Sequence, residues 1–160
     1  MNIIAIDPSS ARTAIVTEIG KYEKYYTFEP TKKNPKITST KHRDNVRVEL
    51  ISWLANNFKQ GMMTDKIIIE RTSSVISSSQ VGMREMLIGV LETYFRQFTN
   101  IIILMPNGPK SGWFVENYGL EYKGRQARKT KIMEEFPDSP NDDIADCKGM
   151  IKNYKDKLSV

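Results

Sequence analysis

Apolar residues along this chain follow two rhythms. "NIIAID" (2–7) is a short unbroken apolar run, as expected of a strand covered on both faces. "RTAIVTEI" (12–19) follows a polar turn, "PSSA", and predicts a second strand. After the turn at Gly20 and Lys21, "YEKYYTFE" (22–29) alternates and predicts a third. "PTKKNPKITSTKH" (30–42) has no period and predicts a loop. The rhythm then changes. In "RDNVRVELISWLANNF" (43–58), Val46, Leu50, Ile51 and Leu54 fall at helical spacing. "DKIIIE" (65–70) predicts a buried strand of the parallel kind.

A long helix is predicted over 77–98, with Val81, Met83, Met86, Leu87, Val90, Leu91, Tyr94 and Phe95 mostly inward. "NIIILMP" (100–106) predicts another buried strand, stopped by Pro106. A short helix or loop (108–119) follows, then helices over 127–136 and 141–155 divided by Pro137 and Pro140. The order is three strands, helix, strand, helix, strand, helices. It predicts an α/β fold: a five-stranded mixed sheet, an antiparallel meander plus parallel strands, flanked by helices. Ligands of such open sheets gather at the C-terminal edge of the parallel strands.

Two of the predicted buried strands end on acids at that edge, Asp7 and Glu70. If the first and fourth strands are parallel neighbours, the two carboxylates meet, and like charges that close repel unless a cation joins them. "NDDIADC" adds Asp143 and Asp146, three apart on one helix face, with Asp142 turned about 100° away. Four carboxylates from three elements suffice for two octahedral ions about 4 Å apart. Such a centre suits phosphodiester hydrolysis, one ion activating water and the other stabilising the leaving oxygen. Each acid also has a plain structural reading, as a turn or helix cap or a solvated side chain.

Composition narrows the options. The chain has 160 residues, which predicts one domain over 1–160. It carries one Cys and one His, so a Cys/His zinc site is excluded and any metal is Mg²⁺ or Mn²⁺ held by carboxylates. Single Cys147 suits a reducing compartment. No apolar run nears the roughly 20 residues of a membrane span and no leader pattern is present, which predicts a cytoplasmic protein without membrane contact. Lys and Arg exceed Asp and Glu, 24 to 19, a lean toward a polyanionic partner.

"IIAIDPSS", "KIIIERTSS", "GRQARKTKI" and "NDDIADCKGM" together resemble the RuvC-like Holliday junction resolvases of the RNase H superfamily, nearest to the small phage and poxvirus branch. The resemblance covers residues 1 to about 152. It implies an RNase H-like fold, a homodimer, two Mg²⁺ or Mn²⁺ ions per site, and paired symmetric nicks in a four-way DNA junction. It implies that Asp7, Glu70, Asp143 and Asp146 are the catalytic metal ligands. It also implies a catalytic basic residue before the last helix, best matched by Lys129 with Lys131 as the alternative.

"KGRQARKTK" carries Lys123, Arg125, Arg128, Lys129 and Lys131 with no acid, and is the expected DNA-binding segment. Lysines of the 30–42 loop could form a second basic tract, and His42 could touch a phosphate. Where the family reads DPG, this chain reads DPS. Where bacterial members place an aromatic wedge after the fourth-strand acid, it reads "RTSSVISSS". Other readings remain open: a nuclease acting on RNA–DNA hybrids shares the same carboxylates, and a non-catalytic module could bind branched DNA. The Met-rich helix is expected to be core or dimer seam. Cys147 is expected to be buried, and Trp113 to be slightly more exposed than Trp53.

Overall fold

A computed structural model describes residues 1–9, 11–59, 64–72 and 77–160. Five strands, β1 (Ile3–Asp7), β2 (Thr13–Ile19), β3 (Tyr22–Phe28), β4 (Lys66–Thr72) and β5 (Ile102–Asn107), form one sheet in the order β3-β2-β1-β4-β5. β1–β2 and β2–β3 are antiparallel, whereas β1–β4 and β4–β5 are parallel. The mixed sheet expected from the pattern is the one observed.

Helices α1 (Ser39–Asn57) and α2 (Ser78–Phe95) cover one face of the sheet; α3 (Trp113–Tyr118), α4 (Gly124–Glu135) and α5 (Asp142–Leu158) cover the other. Strand alternation divides the core accordingly. Ile4, Ile6, Ile67 and Ile69 pack with Leu50, Leu54, Leu87 and Leu91. Ile3, Ala5 and Ile68 pack with Trp113, Ile144 and Met150. Each fully buried aliphatic contributes about 1.5–3 kcal/mol relative to exposure. By the same alternation Asp7 sides with Ile3 and Ala5, and Glu70 with Ile68. Both carboxylates therefore leave the sheet on the face that α5 covers.

Several boundaries differ from the pattern. α1 begins at Ser39, inside the stretch read as loop, because Thr38 caps it by accepting the Lys41 N–H at 3.1 Å. α4 begins at Gly124, so most of the basic segment is helical. β5 runs through Pro106 to Asn107, which an edge strand tolerates because one side of it makes no ladder bonds. Ile102, Ile103 and Leu104 are only half-buried for the same reason. Ile51 and Val81 are exposed, and Ile88 is buried instead. Trp113 is 1% exposed while Trp53 is the half-buried one, reversing the expected order. Among the described residues no helix is long and apolar enough to cross a membrane.

Candidate metal centre

In the parallel β1–β4 pair Ile6 lies opposite Ile69, so one step further along both strands stand Asp7 and Glu70. Asp7 and Glu70 line one cleft at this edge. α5 starts directly over this edge. Its cap is Asn141, whose side chain accepts the Ile144 N–H at 3.0 Å. That start places Asp143 and Asp146 toward the strands. One carboxylate oxygen from each of Asp7, Asp143 and Asp146 lies within 4.8 Å of the others. Glu70 borders the same cleft, whose volume is about 600 Å³.

The electrostatics of this arrangement are unfavourable without a cation. Burial pushes the Asp7 carboxyl well above 3.8, and the charges of Glu70, Asp146 and Asp143 push it further. Asp146 is raised for the same reasons, burial first and then Glu70 and Asp143. Burial likewise raises the Cys147 thiol, which lies under the site and donates to the Ala14 carbonyl at 3.5 Å. Hard oxygen donors alone, converging from two secondary-structure elements, are the donor set of Mg²⁺ or Mn²⁺, so the residues present fit such an ion.

Glu70 is cradled. Its Oε1 accepts from the Asn107 side-chain amide and, at 3.1 Å, from the Trp113 indole N–H. Arg128 donates to Asn107 Oδ1 at 3.1 Å and to the Gly108 carbonyl at 2.8 Å, and its guanidinium lies 4.7 Å from the Phe114 ring centroid. Trp113 is seated by two glycines. A Cβ at Gly149 would stand 2.6 Å from the indole, and Gly112, at φ 101°, lies against the Pro106–Asn107 backbone where a side chain would collide.

Asp142 is turned from the cluster, as its position on the helix predicts, and it is paired. Lys129 Nζ lies 3.2 Å from it and Arg12 Nη2 3.8 Å. Arg12 Nε also donates to Asp143 at 2.5 Å.

The basic segment separates into two groups. Arg125, Arg128 and Lys129 line the cleft. Lys131 instead sits 5.4 Å from the Tyr118 ring centroid and 4.0 Å from Glu135, and Lys123 is exposed outside the cleft lining. Arg128, read as a phosphate contact, lines the cleft and also holds Asn107 and the Gly108 carbonyl. Sequence reasoning missed Arg12, Asn107 and Trp113. A polar residue closing the β5 strand was the one available signal, for Asn107. The stretch where an aromatic wedge was sought falls partly on residues 73–76, outside the described residues.

No family model and no curated protein matches this chain. Solved structures do. A Thermus thermophilus RuvC in complex with a Holliday junction substrate is similar with TM-score 0.55 and 9% identity, over 93% of this chain and 89% of that one. Another Thermus thermophilus RuvC structure gives 0.52 and 11%, over 93% and 90%. The yeast mitochondrial Holliday junction resolvase Ydc2 gives 0.53 and 14%, over 95% and 76%. At these identities the likeness is one of architecture, and the architecture of this chain is the RNase H-like fold of the RuvC-type resolvases.

Proposed function

We propose that this chain is a metal-dependent, structure-selective DNA endonuclease that resolves four-way junctions by paired symmetric nicks. The observation that carries the reading is the convergence of Asp7, Asp143 and Asp146 oxygens within 4.8 Å beside Glu70, on a RuvC-type fold. A protein that only bound DNA would gain nothing from buried acids beside phosphate. Asp7, Asp143 and Asp146, with Glu70, are the residues proposed to hold two Mg²⁺ or Mn²⁺ ions. Divalent ions bound there supply Lewis-acid stabilisation of a phosphodiester and a water of lowered pKa.

The remaining roles belong to the chain's own side chains. Asn107 and Trp113 fix the rotation of the Glu70 carboxylate. Arg12 and Lys129 balance the charge of Asp142 and Asp143 at the rim. Lys129 is the proposed basic catalytic residue, and Arg125, exposed at the cleft, the proposed phosphate contact. Action as one domain follows the chain length, and action as a homodimer and kinship with the phage and poxvirus branch follow the sequence resemblance.

The test is cleavage of a labelled four-way junction beside an RNA–DNA hybrid, with Mg²⁺ and with Mn²⁺. Paired nicks placed symmetrically across the junction, abolished by Asp7→Asn while junction binding persists, are expected. Cutting confined to the hybrid, or undiminished in the variant, overturns the assignment.

A further inference from the structure

A second cleft lies at the starts of α1 and α2, on the other face of the sheet from α5. Its volume is about 420 Å³, and Lys33, His42 and Arg43 line it together with the hydroxyls of Ser39, Ser78 and Ser79. No acidic side chain is among its described lining. No ion pair among the described residues engages Lys33, His42 or Arg43, whereas neighbouring Arg47 pairs with Asp44 at 3.6 Å. Arg43 is half-buried, and its guanidinium lies across α2 in the space that Gly82 leaves by having no Cβ. A partly buried guanidinium and a lysine gathered with three hydroxyls, and lacking any anion, form a site for one.

The two clefts are neighbours. Ser79 lines this one, while Gln80, the next residue, and Arg84 line the cleft of the metal centre. Consecutive Cα atoms are about 3.8 Å apart. The first turn of α2 is therefore the wall between them. Each strand of a duplex presents a phosphate about every 3.4 Å of axis. A backbone engaged at one cleft thus brings further phosphates to the other.

We propose that this cleft binds phosphodiester groups of the nucleic-acid substrate, through Lys33 and Arg43 and the serine hydroxyls, at a point removed from the cut. The proposal rests on the nuclease reading for its choice of ligand. The interaction is with backbone, so it adds affinity without reading sequence.

The test compares the wild-type chain with Lys33→Gln/Arg43→Gln and with Arg43→Lys, in binding to a four-way junction over a range of salt. The slope of log K against log[salt] is expected to fall by about 0.9 for each phosphate that the double variant no longer neutralises, equally for junctions of different sequence, and to be kept in Arg43→Lys. Circular dichroism confirms that all three are folded. An unchanged slope and affinity in a folded double variant overturns the proposal. So does stabilisation of the wild type by inorganic phosphate alone with the slope unchanged, which assigns the cleft to a free anion. Cleavage is scored separately at saturating protein. A wild type that binds with the expected slope but never cuts sinks the nuclease reading and leaves this one standing.

Discussion

The indole of Trp113 donates its N–H to Glu70 at 3.1 Å, so the largest side chain of one core is also a hydrogen-bond donor to a buried carboxylate. Glu70 is 4% exposed, and without Trp113 it would rely on Asn107 alone among these donors. Packing of the core and orientation of the site are thus carried by one residue.

Trp113→Phe keeps the aromatic fill but removes the donor. It is expected to cost about 1–3 kcal/mol of stability, the range for depriving a buried polar group of a partner. Divalent-metal affinity should fall about 10–100-fold, as loss of an outer partner of a ligand does. Denaturant unfolding and metal titration by calorimetry check the two effects separately. Wild-type values in both would remove Trp113 from the site.

Gly149→Ala acts on the same indole from behind. The new Cβ would meet the Trp113 ring at 2.6 Å and Ile132 at 3.0 Å, and a packed ring has nowhere to move. Overpacking of this kind costs about 1–3 kcal/mol. Urea unfolding measures it, and the near-ultraviolet circular dichroism of Trp113 should change as well.

Asp146→Asn should stabilise the metal-free protein while abolishing cleavage. Asp146 is raised by burial and by the charges of Glu70 and Asp143, so a neutral isostere relieves a repulsion. A rise in Tm on the order of 2–4 °C, the shift that 1 kcal/mol produces at about this chain length, is expected in chelator. A fall in Tm would mean that the acids are not in conflict.

The pH dependence has a definite sign. Asp7 and Asp146 titrate higher in the folded chain than the ordinary 3.8, so between the unfolded and folded values the native state holds more protons than the unfolded one. Stability of the metal-free protein is then greatest on the acid side of that window. It falls as pH rises through the folded values, then levels. Mg²⁺ binds the ionised carboxylates, so the stabilisation it gives should grow with pH over the same window. Thermal melts in chelator and in Mg²⁺ across the acid to neutral range test both.

Arg125 and Arg128, three apart on α4, should respond differently. Arg125→Gln is expected to lower the salt slope of DNA binding by about 0.9 with stability unchanged. Arg128→Gln loses its bonds to Asn107 and the Gly108 carbonyl and should cost about 1–3 kcal/mol. Equal salt slopes for the two variants would return Arg128 to the DNA surface.

Sequence periodicity carried the five strands and the mixed character of the sheet, while the order β3-β2-β1-β4-β5 came from the structure. An apolar run, a meander and two crossovers admit few arrangements, since parallel strands need a helix between them and antiparallel ones need only a turn. That Asp7 and Glu70 each close a buried strand was legible too, but their meeting hung on β1 and β4 being parallel neighbours, which the structure supplied. The spacing of Asp143 and Asp146 gave their shared helix face. Boundaries were less legible. Thr38 caps α1 from within a Lys- and Pro-rich stretch, and Pro106 continues an edge strand that looked central.

What local pattern determined is which side chains share an element and a face, because backbone hydrogen bonding fixes the periods of 2 and 3.6 regardless of surroundings. Tertiary structure alone decided the partners of each polar group. Arg128 turns to Asn107 rather than outward, Arg12 crosses from the first turn to Asp143, and Trp113 is buried against Glu70. Those bonds join residues far apart in the chain. A side chain's choice between protein and solvent depends on which unsatisfied groups and which cavities folding brings beside it, and no spacing along the chain encodes that.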